Sequence, residues 1–271
     1  MTDRVKYRPF TGDSDISVRL VDAPLELVLC QVRWPQFTGL QTEEQLRAIT
    51  PEFGQAMPEY PLVAETKNVN YVITPDGIAS TDAGTVYQWT SVDDVWHVSL
   101  SRQFLSLYTT TYGTYDEMDS RLRPILNTLR EIVGVRVIDR VGVRYVNRLS
   151  DPSDMANLDS IVRPEILGYK ALHLQHMQAS TNQATYSLDG AILQVRSGIL
   201  PPNQTVDPAI ALTPSDSWVL DLDASQEVRQ ILDTDAVAAI ASRMSDVAYD
   251  YFKAVIAEGF LNRHSERDTE S

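Results

Sequence analysis

The chain has 271 residues, 43% of them hydrophobic, which is enough for one large domain or two modest ones with a substantial core. Its 37 acidic residues against 23 basic ones give a net charge of -14, which opposes non-specific binding to DNA or to an anionic membrane. The single cysteine, Cys30, excludes an intramolecular disulfide framework and a multi-cysteine metal site.

No run approaches the roughly 18 apolar residues needed to cross a bilayer. The opening MTDRVKYRPF lacks the apolar centre of a signal peptide, so the expected location is the cytoplasm. The segment PLELVLCQVRW (24–34) is apolar and rich in β-formers, which predicts a mostly buried strand holding an inert Cys30. Thr42 followed by Gln45 has the form of a capping box, opening a helix that Pro51 should end or kink. Short strands are expected at 69–74 and 86–90, separated by the loop PDGIASTDAGT (75–85), where a proline and two glycines oppose regular structure. In VWHVSL (95–100), Trp96, Val98 and Leu100 alternate with His97, Ser99 and Ser101, the pattern of a half-buried strand with His97 on its polar face.

Thr114 and Glu117 form a second capping-box pattern, and Met118, Leu122, Ile125, Leu129 and Ile132 recur at helical spacing. Pro124 lies inside that pattern and should kink the helix or delay its start. Residues 151–167 are polar with two prolines and suit a linker. Beyond them ALHLQHMQA (171–179) reads as a strand, and ATYSL-DG-AILQVRS (184–197) as a hairpin with a type I′ turn at Asp189-Gly190. LPPNQTVDPAIALTPSDS (200–217), with four prolines, is a long loop of the kind that is often functional. SWVLDLDA (217–224) is another strand. Thr234 or Asp235 caps a final helix whose stripe includes Val237, Met244, Tyr251 and Val255, ending near Gly259.

Trp96 precedes the Thr114 cap much as Trp218 precedes Thr234, which suggests two related halves. The expected class is therefore α+β, with antiparallel sheets in two similar halves, each run of strands followed by a long amphipathic helix. The division is 1–150, a linker at 151–167, 168–261, and a disordered tail at 262–271.

The strand DRVGVRYVNRL (139–149) carries three arginines. A period of two places Arg140, Gly142, Arg144 and Arg148 on one face. They suit an anion site, since guanidinium forks match phosphate or carboxylate and Gly142 would let a ligand lie close to the sheet. They also suit a solvated face on which Asp221 and Asp223 pair with them. Asp221 and Asp223 also point the same way on their own strand, as a metal pair would, although two-metal chemistry needs further carboxylates. His173 and His176, three apart on a strand, face opposite ways and do not share a metal. No nucleophile, phosphate loop or dinucleotide signature is present, and no cofactor is expected.

The segments PLELVLCQVRW, YQWTS, WHVSLSRQFLSLYTTTY and RVGVRYVNRL resemble those of a sporadically distributed family of uncharacterised bacterial proteins of similar length. The resemblance covers about residues 20–150 and continues in outline through LDLDA and the last helix. Its patchy distribution implies a mobile accessory gene, in a defence or toxin–antitoxin setting. The resulting expectation is a non-enzymatic binding protein that acts through a protein partner. The alternatives are a binder of a phosphorylated small molecule or RNA end at Arg140, Arg144 and Arg148, and a metal-dependent phosphoesterase using Asp221 and Asp223.

Overall fold

The computed structural model describes residues 6–12, 23–74, 77–172 and 176–264. Among them are the strands β1 (Leu25–Arg33), β2 (Leu62–Thr74), β3 (Gly77–Thr90), β4 (Trp96–Leu100), β5 (Phe104–Thr109), β6 (Val137–Leu149), β7 (Ser180–Leu188), β8 (Ala191–Leu200) and β9 (Ser217–Ile231). They hydrogen-bond in the order β2-β3-β4-β5-β1-β6-β9-β8-β7. The helices are α1 (Glu43–Gln55), α2 (Tyr115–Thr128), three short ones, α3 (Pro152–Ala156), α4 (Leu158–Ile161) and α5 (Pro164–Leu167), then α6 (Thr234–Val255) and α7 (Glu258–His264). The class is α+β, with an antiparallel sheet. No described helix is long and apolar enough to cross a membrane.

The chain forms two compact units, and neither is one continuous segment. An N-unit comprises Leu29–Gly142 and Glu227–Ala241, and a C-unit comprises Met1–Val28, Val143–Gln226 and Ser242–Ser271. The passages between them fall inside β1, β6, β9 and α6 rather than in a linker.

In the N-unit, both arms of the Thr42 capping box form. Gln45 N–H donates to Thr42 Oγ1 at 3.2 Å and Thr42 N–H to Gln45 Oε1 at 3.0 Å. α1 runs through Pro51 to Gln55 instead of stopping there. Pro51 has no N–H to offer the Arg47 carbonyl, and the Thr50 hydroxyl donates to that oxygen instead, at 2.8 Å, so the freed acceptor stays satisfied.

The loop expected at 75–85 is mostly strand. Thr74 pairs with Gly77, with Pro75 and Asp76 outside the described residues, and the register shifts once, between Asn68 and Val69. Gly84, at φ +94°, sits at that shift, so this glycine serves a bulge rather than a loop. β4 is buried on both faces, not on one. α2 begins at its Thr114 cap and passes through Pro124. Its continuation, Leu129–Val133, is π-helical, and the wider turn makes Val133 rather than Ile132 the buried residue.

In the C-unit, 151–167 folds into α3, α4 and α5 and buries Leu158, Ile161, Val162 and Leu167. Among the described residues of 171–179, where a strand is expected, none is in a strand. Gly168–Leu172 is a short 3-10 turn, His173 lies outside the described residues, and His176 has φ +69°. The β7–β8 hairpin forms as expected. At its turn only Gly190 has positive φ, whereas a type I′ turn requires it at both positions. The start of α6 belongs to the N-unit, where Asp233 caps it, its carboxylate accepting from Ala236 N–H at 2.8 Å. Thr234 and Asp235 instead bond Asn127 and Arg123. Beyond α6, residues 258–264, including the first three of the expected tail, form α7.

The N-terminal residues 6–12 are held by α6. Asp250, fully buried, accepts from Phe10 N–H at 2.7 Å, Thr11 N–H at 3.2 Å and the Thr11 hydroxyl. Asp246 accepts from Tyr7 N–H, and Arg8 donates to the Asp246 carbonyl at 2.9 Å. Phe10 packs edge-on against Tyr186 and Tyr251.

The expected likeness of 90–133 and 214–258 fails on strand content. The first holds a hairpin, β4–β5, where the second holds one 15-residue strand, β9. The similar Trp-to-cap spacings therefore come from different structures.

Candidate functional site

The strand period places the β6 arginines as expected, and the space beside them is filled. In the N-unit, the Arg140 guanidinium lies over Gly142, where an added Cβ would meet its Nη1 at 2.8 Å. Arg140 donates to Gln31 Oε1 at 3.3 Å and pairs with Glu227 at 3.5 Å. The gap that Gly142 leaves holds this protein's own side chain.

In the C-unit, Arg144 makes the tightest set of contacts. Its Nε and Nη2 grip the two oxygens of Asp221 at 2.8 and 3.1 Å, and its Nη1 reaches Asp207 at 2.6 Å. Arg196 binds the second Asp221 oxygen at 3.0 Å. The Asp221 side chain is 2% exposed and that of Arg144 16%. Burial opposes the charge on Arg144, but hydrogen bonding and charge from Asp221 and Asp207 outweigh it, so its pKa is raised. Arg148 donates to the Ala211 carbonyl at 2.8 Å and pairs with Glu26 at 3.4 Å. Asp223 is half-buried opposite Gln194, two residues along from Asp221.

Asp207 and Ala211 both belong to the proline-rich loop 201–216. Arg144 and Arg148 therefore fasten that loop onto the sheet, and Ile210 is buried beneath it. An external anion at Arg144 would have to displace Asp207 or Asp221. A metal at Asp221 would have to displace two guanidiniums. Among the described residues no group of three or more His, Cys, Asp or Glu is placed to hold a metal ion.

His97 is not on a solvated face. It stacks on Tyr108 with ring centres 4.5 Å apart, and its Nδ1 lies 3.2 Å from Gln88 Nε2 and 3.1 Å from Thr90 Oγ1. The Gln88 amide nitrogen only donates, so Nδ1 accepts and the proton sits on Nε2. Burial lowers the His97 pKa from 6.5, against the opposing pull of Asp94 and Asp93. A histidine with a depressed folded-state pKa stabilises the fold above its unfolded pKa. That contribution is lost as the pH falls through 6.5 toward the folded value. The urea midpoint should drop more steeply between about pH 7 and pH 5 in the native protein than in a His97→Gln variant; parallel profiles would rule His97 out as the cause.

Sequence reasoning missed an open groove of about 410 Å³ at the start of β7, lined by Tyr169, Leu172, His176, Met177 and Thr181. Tyr169 and Leu172 are 66% and 58% exposed. A usable signal was present: residues 166–188 contain no Asp or Glu in a strongly acidic chain. No protein-family profile, curated protein or solved structure matches this chain.

Proposed function

We propose that this protein works in the cytoplasm by binding a partner protein, without catalysis, as an accessory or regulatory component of a defence or toxin–antitoxin-like system. The observation that carries the binding reading is the pair Tyr169 and Leu172, large apolar side chains held in water beside the groove at β7. Aromatic anchors of this kind supply most of the energy of protein interfaces. The charged groups that would otherwise suggest an anion or metal site are engaged with one another, which favours partner binding over both alternatives. The cellular setting rests on the family resemblance.

The tagged protein, expressed in its native host, should retain a partner that a Tyr169→Ser/Leu172→Ser variant of equal melting temperature loses. Retention of the same partner by both proteins would remove the groove from the interface. EDTA, Mg²⁺ and Mn²⁺ should leave the melting temperature unchanged. A ligand of the folded state at 100 times its Kd adds about 2.7 kcal/mol, so a clear metal-dependent rise would favour the phosphoesterase alternative.

A further inference from the structure

β7 stands at one end of the sheet order and pairs with β8 on one side. No strand among the described residues pairs with its other side. An edge of this kind offers a row of backbone donors and acceptors, which proteins usually protect with charge, proline or a bulge. β2, at the other end of the order, carries Glu65 and Lys67. β7, STNQATYSL, carries no charge and no proline, and its register with β8 runs unbroken from Ser180↔Ile199 to Leu188↔Ala191. Thr181, Gln183, Ala184, Thr185 and Ser187 are exposed along it. The acid-free run 166–188, bracketed by Glu165 and Asp189, includes Lys170.

We infer that β7 accepts an additional strand, an extended uncharged segment of a partner protein whose body is positively charged. The inference rests on the partner-binding reading and adds the partner's chemistry. An uncharged edge gives a charged strand no counter-charge, while backbone pairing supplies affinity to any extended neutral one. A net charge of -14 repels a second copy of this chain and any acidic protein, and draws a cationic one.

The test uses the full-length protein and three synthetic peptides as long as β7. One alternates Thr and Val between lysine flanks, one has glutamate flanks, and one has lysine flanks and a central proline. The lysine-flanked peptide should bind and slow amide exchange at 180–188 by about tenfold or more. The glutamate-flanked peptide should bind about tenfold more weakly at low salt, and the proline peptide not at all. Binding should vanish in Gln183→Lys/Thr185→Lys, or in Thr185→Lys alone if the double variant does not fold, because edge lysines block strand addition. Three results would overturn the inference: no binding of the lysine-flanked peptide, equal binding of the glutamate-flanked one, or concentration-dependent protection of 180–188 in the protein alone, which would make a second copy the occupant. If the peptides fail while Tyr169 and Leu172 still determine partner retention in the host, strand addition falls and the binding reading stands. Failure of both experiments removes both.

Discussion

Arg144→Ala should destabilise the protein by about 3–5 kcal/mol, the cost of removing one partner from a buried ion pair. An exposed pair would cost only about 0–1 kcal/mol. Burial decides between these ranges: Asp221, 2% exposed, would keep only Arg196, whose side chain is 47% exposed. Lysine should recover little, because one ammonium cannot grip both Asp221 oxygens and Asp207 in the fork that Arg144 uses. The variant should also be cut faster within 201–216, since the loop loses its Asp207 anchor. Arg144→Met combined with Asp221→Leu should cost less than Arg144→Ala alone, because the most deeply buried charge goes with its partner, while Asp207 and Arg196, whose side chains are 19% and 47% exposed, can turn to water. Urea denaturation reads the stability losses and limited proteolysis the loop, and a loss below about 1 kcal/mol for Arg144→Ala would mean that water screens the network after all.

Asp250→Ala should lower stability by about 2–4 kcal/mol and free residues 6–12 to proteolysis. The carboxylate takes three donors, Phe10 N–H, Thr11 N–H and the Thr11 hydroxyl, and hydrogen bonds to charged groups contribute about 1.5–3 kcal/mol each. The loss is smaller than their sum because the released segment can bond to water. Asp250→Asn keeps one acceptor oxygen and should fall between the two. Trypsin cleavage after Lys6 gives an independent readout: native-like resistance in Asp250→Ala would show that the Asp246 contacts and Phe10 packing suffice to hold the segment.

Local rules made the regular elements legible, and most failures have a tertiary cause. The Thr42 and Thr114 caps, the β6 period and the Asp189-Gly190 hairpin depend on neighbours within a few residues, so they could be read directly. Pro51 and the glycines of 75–85 read as breakers by residue type, because the Thr50 hydroxyl that rescues the Arg47 carbonyl depends on a rotamer and the bulge that uses Gly84 on the pairing partner. Asp221 was legible as a partner of Arg144, since strand periodicity alone puts both on sheet faces. Asp207 was not, because it arrives on a loop with no period. Of the two readings of the arginine face, an anion site and a solvated surface, the second fails beside Arg144 and Arg148 because that same loop covers it. The groove at Tyr169 was hidden by reading 171–179 as a strand, although the absence of acid across 166–188 was visible throughout.

The clamp on residues 6–12 also bears on when this protein can fold. Arg8 and Phe10 are synthesised well before their partners Asp246 and Asp250, which lie 238–240 positions later. The N-unit likewise draws on Glu227–Ala241 and the C-unit on Ser242–Ser271. At about 5–20 residues per second, the first segment waits roughly 10–50 s for its seat to be made. The N-unit therefore stays incomplete until Glu227–Ala241 has emerged, and the C-unit closes only after it, once the stretch from Ser242 onward supplies Asp246 and Asp250.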